Sequence, residues 1–126
     1  MSYSVDQNQK SIIETLKANG NQVIAMASVG GGFPDLHIVN KQKIVVLIEV
    51  KFGKDAKITK PQMIFIGEYK GYIGFAENEA QALDLAKDPV VFSLSQNDKN
   101  KIAVFALKFT KKAMRFSSFK KEILGR

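Results

Sequence analysis

The run Ile44-Val45-Val46-Leu47-Ile48 is apolar at every position and then stops on Glu49-Val50-Lys51. A strand without polar alternation is buried on both faces, so the run calls for packed layers above and below it. Ending such a strand on a carboxylate and an ammonium is costly unless something pairs with them. A bound cation and a phosphate would do so. Glu49 and Lys51 are two residues apart and share one face of the strand, which would put the phosphate-binding amine beside the cation-binding acid. A second acid, Asp35, stands just upstream in Gly32-Phe33-Pro34-Asp35-Leu36.

Asp35 to Val39 and Lys43 to Lys51 read as two strands joined by Asn40-Lys41-Gln42, a connection short enough for an antiparallel hairpin. Positions 35 and 49 are symmetric about residue 42. Asp35 and Glu49 should therefore lie opposite each other, with Cβ atoms about 5 Å apart, a gap that one divalent ion bridges. His37 shares the strand face of Asp35. A lone histidine there reads more readily as a packing or hydrogen-bonding residue than as a general base.

Elsewhere helix and strand alternate. Residues 5 to 19 read as a helix, 22 to 27 as a strand, and Ser28 to Gly32 as a flexible turn. That glycine run lacks the Lys-Ser/Thr of a phosphate-binding loop and runs into Pro34, which disfavours helix at Phe33. It would let the backbone pass close to the site. Residues 52 to 60 read as a polar, mobile segment, and a helix begins near Pro61 with Gln62 in its first turn. Tyr72 to Phe75 reads as a strand, and Glu77 to Lys87 as a helix with Ala80, Leu83 and Ala86 on one side. Val90 to Leu94 and Ile102 to Phe109 suggest a β-hairpin, and Thr110 a cap for a last helix from Lys111 to Leu124.

Pro34-Asp35, thirteen intervening residues and then Glu49-Val50-Lys51 resemble the signature of the PD-(D/E)xK nuclease superfamily. Together with Ile58-Thr59-Lys60-Pro61-Gln62, the chain more narrowly resembles the virus-type replication-repair (VRR-NUC) nucleases over residues 5 to 88. The family has its proline one place earlier, at position 60, while Gln62 stays in register; the start of the helix is what this departure shifts. The resemblance implies an α/β fold with a restriction-endonuclease-like core, a central mixed β-sheet flanked by helices, here with a C-terminal β-hairpin and basic helix. It further implies Mg²⁺ or Mn²⁺ held by Asp35, Glu49 and the backbone carbonyl of Val50. Lys51 would position water or stabilise the transition state, and Gln62 would orient both. Family members often add an acid from the first helix; Asp6 is the candidate, with Glu14 the alternative. Small free-standing members are typically homodimers selective for branched DNA such as four-way junctions, often of phage origin.

The charge of +7 is uneven: residues 99 to 126 carry nine basic side chains against Glu122 alone, leaving the first 98 residues at −1. Such a patch fits a polyanion, with Lys54, Lys57, Lys60, Lys111, Arg115 and Lys121 as the expected nucleic-acid contacts. A solvated helix back is the plainer alternative for the C-terminal part. At 126 residues the chain reads as one nuclease domain, 1–126, with 90–126 a basic extension within it. It has no cysteine for a disulfide or thiolate site, and one histidine makes a poor zinc cluster. It shows no apolar run of about 20 residues to cross a membrane and no signal-peptide layout, which points to the cytoplasm of a prokaryotic or phage-infected cell, with no organic cofactor. A non-catalytic nucleic-acid- or partner-binding module on the same fold is the competing reading.

Overall fold

The computed structural model describes the backbone of residues 5–126 and the side chains from Gln7 onward. In chain order the elements are α1 (Val5–Ala18), β1 (Gln22–Ala25), β2 (Leu36–Val39), β3 (Val45–Val50), β4 (Lys57–Thr59), α2 (Lys60–Glu68), β5 (Tyr72–Ala76), α3 (Glu79–Lys87), α4 (Pro89–Phe92), α5 (Gln96–Lys108), β6 (Ala113–Arg115) and α6 (Phe116–Phe119), which runs into a π-helical turn, Lys120–Leu124. The main sheet has the order β1-β2-β3-β5. β1 and β3 both pair antiparallel with β2, while β5 pairs parallel with β3, so the sheet is mixed. β4 and β6 form a separate antiparallel pair.

The apolar run is buried on both faces only in its later part, since Val45 is exposed and Ile44 half-buried at its start. Val46, Leu47 and Ile48 are buried at the centre of the sheet. Val46 and Ile48 face a layer that includes Ile12 and Leu16 of α1 and Ala82, Leu85 and Ala86 of α3. Leu47 faces the other layer, with Met63 and Ile66 of α2, Ile102 and Ala106 of α5, and Phe116 and Phe119. Each such side chain gains about 1.5–3 kcal/mol from burial. Because side chains alternate along β3, Glu49 falls on the α2 side with Leu47.

The β2–β3 register pairs Leu36 with Ile48 and Val39 with Val45. Continued one step, it sets Asp35 against Glu49, as the symmetry about residue 42 requires. Buried Asn40 holds the turn: its Oδ1 accepts from Gln42 N at 2.9 Å and Ile44 N at 3.0 Å, and its Nδ2 donates to Ala86 O at 2.9 Å. Lys43, at φ 66°, completes the reversal.

The C-terminal region corrects the expectation most. The expected β-hairpin over 90–94 and 102–109 is instead α4 followed by α5. Gln96 to Asn100, between those two segments, are the start of α5, where Ser95 caps the helix in a reciprocal box with Asp98. The β-branched residues that suggested strands, Val90, Val91 and Val104, are exposed, and Ile102 and Ala106 bury at helical spacing. The expected helix over 111–124 is broken into β6, α6 and the π-helical turn, and Thr110 caps nothing. Residues 57–59, expected to be mobile, form β4 because β6 pairs with them. α3 starts two residues later than expected, behind Asn78, and buries Ala82, Leu85 and Ala86; exposed Ala80 and half-buried Leu83 do not lead its packed face.

Candidate active site

Asp35, at the entrance to β2, and Glu49, near the end of β3, come together on the α2 side of the sheet. The Val50 amide donates to Asp35 Oδ2 at 2.8 Å, which ties the first acid to the strand that carries the second. Glu49 is only 1% exposed, and its Oε2 is buried with no hydrogen-bond partner. Burial pushes its carboxyl up to about 9, with the neighbouring Asp35 carboxyl adding to the rise and Lys51 opposing it. Two neighbouring carboxyls, one with a buried, orphaned oxygen, form a site with an unmet acceptor. All-oxygen donors suit a hard divalent cation, so Asp35 and Glu49 fit the expected metal.

Lys51, 6% exposed, stands beside them with Nζ 3.6 Å from Glu49 Oε1. Its ammonium donates to Lys57 O at 2.6 Å and to Gln62 Oε1 at 3.0 Å. Gln62 reaches the site because Thr59 caps α2: the Thr59 hydroxyl accepts from Gln62 N, and Gln62 Oε1 accepts from Thr59 N at 2.9 Å. Its Nε2 donates to Glu49 Oε1 at 3.3 Å. One glutamine thus joins the helix cap, the amine and the buried acid. The proline shift left this geometry intact, since Lys60 and Pro61 occupy the first turn and Gln62 remains at its third position.

Other expected residues divide. The side chain of Asp6 lies outside the described residues. Glu14 is exposed and lines a separate cleft of about 520 Å³ with Phe52 and Glu79; among the described residues no third acid joins Asp35 and Glu49. His37 is half-buried on the Asp35 face with an unpartnered Nδ1. Lys54, Lys57, Lys111, Arg115 and Lys121 are exposed, with Lys57 and Arg115 paired across β4 and β6. Lys60 differs: it is half-buried, and its ammonium donates to Phe109 O at 2.7 Å.

One contributor escaped the sequence reading, and one bears out the close backbone approach expected of the glycine run. The Lys57 carbonyl, which holds Lys51, was hidden because β4 is too short and polar to read as a strand. Gly32, at φ +83°, lies so close to α2 that a Cβ would land on the Pro61 carbonyl. Its neighbours Gly30 and Gly31 also adopt positive φ but face open space.

Among solved structures, one described as a VRR_NUC domain shares this fold with a TM-score of 0.52 at 20% identity, covering 66% of this chain and 94% of that one. The likeness is one of fold: a mixed α/β body with its central sheet flanked by helices. No curated protein matches the chain. The VRR-NUC domain model matches residues 2–77, a span that ends short of the expected residue 88 but takes in both acids, Lys51 and Gln62. Since that span exceeds half the sequence, the chain belongs to the VRR-NUC domain family.

Proposed function

We propose that this protein is a Mg²⁺- or Mn²⁺-dependent DNA endonuclease, selective for branched substrates such as four-way (Holliday) junctions and acting as a homodimer. The observation that carries the chemistry is the buried, orphaned Glu49 Oε2 facing Asp35, with the Lys51 ammonium alongside. Family membership supports the nuclease class, and the basic C-terminal third favours a polyanionic substrate.

Asp35, Glu49 and the Val50 carbonyl would hold the cation, which when bound supplies Lewis acidity toward the phosphate and an acidified water. Asp35 is oriented for this by the Val50 amide. Lys51 keeps positive charge next to the reacting phosphate, where negative charge grows on the non-bridging oxygens as water attacks and the P–O bond to the leaving alcohol breaks. Gln62 and the Lys57 carbonyl hold that ammonium in place, so little reorganisation is needed. The complete set of groups argues against a non-catalytic binding module.

A single assay series tests the reading. A four-way junction, a flap and a plain duplex, at fixed salt because phosphate contacts dominate affinity, are incubated with Mg²⁺, Mn²⁺ or EDTA. Junction cleavage that needs metal and disappears in Glu49→Gln, with junction binding retained, is the expected result. Binding without product under every condition would favour the binding module. Faster cutting of linear or single-stranded ends would reassign the substrate.

A further inference from the structure

We infer that a groove between the glycine loop and the first turn of α2 carries the backbone of the DNA strand next to the scissile phosphate, with Lys111 and Lys112 as its cationic contacts and Lys60 positioning them. This rests on the nuclease reading above. The groove, of about 660 Å³, is continuous with the candidate active site, since Asp35 and Gln62 line it. Among the described residues Asp35 is the only acid along it, whereas Lys60, Lys111 and Lys112 contribute three cations. Gly30 and Gly31 form one wall where even a Cβ would meet nothing within 4 Å, so a sugar–phosphate chain can approach the main chain closely.

Lys111 and Lys112 are exposed, and among the described residues neither pairs with an acid. Lys60 is differently employed. Its backbone N–H donates to Lys112 O at 3.1 Å and its ammonium to Phe109 O at 2.7 Å, pinning both ends of the 109–112 loop against α2. An ammonium committed to a carbonyl holds the loop that presents the other two lysines. Residues 109–112 lie beyond the span shared with the family model, so these contacts belong to this chain's own C-terminal part.

The test measures binding of a labelled four-way junction and a labelled duplex by anisotropy in EDTA across a salt series, alongside cleavage with Mn²⁺. Lys111→Gln/Lys112→Gln should reduce the slope of log affinity against log salt by about 2 and weaken binding about tenfold or more near 0.15 M salt. Lys17→Gln/Lys87→Gln, on α1 and at the end of α3, should change neither. Lys60→Met should weaken binding alone, add nothing in the Lys111→Gln/Lys112→Gln background, and be rescued by Lys60→Arg. An unchanged slope in the double variant, with wild-type cleavage intact, would overturn the groove while leaving the nuclease reading in place. Additive losses would make Lys60 a direct contact and overturn its positioning role. Lost slope in a protein that never cuts would instead sink the nuclease reading alone, and a wild type that binds no DNA would remove both.

Discussion

Gln62 Oε1 accepts from Lys51 Nζ at 3.0 Å while the same oxygen accepts from Thr59 N at 2.9 Å, so the amine of the site and the start of α2 share one acceptor. Gln62→Ala would remove half of the capping box, at about 1 kcal/mol, and would leave the Lys51 ammonium held by the Lys57 carbonyl alone. The melting temperature should fall by only a few degrees, whereas kcat for junction cleavage should fall on the order of 100-fold, because the misplaced group acts on the transition state. A parallel loss of KM and stability with kcat preserved would reduce Gln62 to a helix cap.

The raised titration of Glu49 makes a directional claim about stability. Its carboxyl ordinarily titrates near 4.5, and burial with Asp35 moves it to about 9 in the folded chain. Between these values the folded state holds a proton that the unfolded chain has released, so stability falls as pH rises. The contribution is complete below about 4.5 and is lost as pH passes through about 9. In EDTA, thermal melts should show this decline, and Glu49→Gln should flatten it while raising stability at pH about 8. An unaltered pH profile in that variant would show that the carboxyl is not held neutral.

Metal should act in the opposite sense. A cation held by Asp35 and Glu49 would displace the proton that Glu49 otherwise retains, so uptake should strengthen with pH. At about 100 times its dissociation constant, Mg²⁺ or Mn²⁺ should stabilise the protein by roughly 2.7 kcal/mol. Calorimetry at two pH values should record tighter binding and proton release at the higher one. Asp35→Asn should lose the effect while retaining its fold, since an amide oxygen still accepts from the Val50 N–H.

What the sequence made readable was local. The symmetry of Asp35 and Glu49 about residue 42 needs only a hairpin register, and the Glu49–Lys51 relation needs only strand alternation. Gln62 was found through its register in the motif that resembles the family, which the displaced proline leaves unchanged, and its role as the third residue of a capped helix is again local chemistry. The C-terminal third was misread where distant partners decide the outcome. Val90, Val91 and Val104 favour strands by propensity, yet the helix wins because Ile102 and Ala106 bury against α2. Neither β4 nor β6 exceeds three residues, and each is a strand only because of the other. The Lys57 carbonyl beneath Lys51 depends on that pairing, which no local pattern announces.

Asn40 carries the register on which the two acids depend. Asn40→Ala would leave Ala86 O and the amides of Gln42 and Ile44 without their partner. Unmade buried hydrogen bonds cost about 1–3 kcal/mol each before relaxation, and the turn residues can recover part of this from water. A net loss of about 2–3 kcal/mol in denaturant melts is expected, with junction cleavage at low temperature retained once folding is complete.

Gly32 tests how closely the site is framed. Its φ of +83° costs any residue with a Cβ roughly 1–2 kcal/mol, and the added methyl would press on the Pro61 carbonyl and lie 2.8 Å from Gln62 N. Backbone cannot yield as a flexible side chain would, so the first turn of α2 must move and carry Gln62 away from Lys51. Gly125→Ala, at φ +69° in open space and outside the groove, bears the conformational cost alone. Gly32→Ala should therefore lose both more stability and far more kcat than Gly125→Ala. Equal effects in the two variants, measured by denaturant melts and single-turnover cleavage, would show that the close approach to α2 does not hold Gln62 in place.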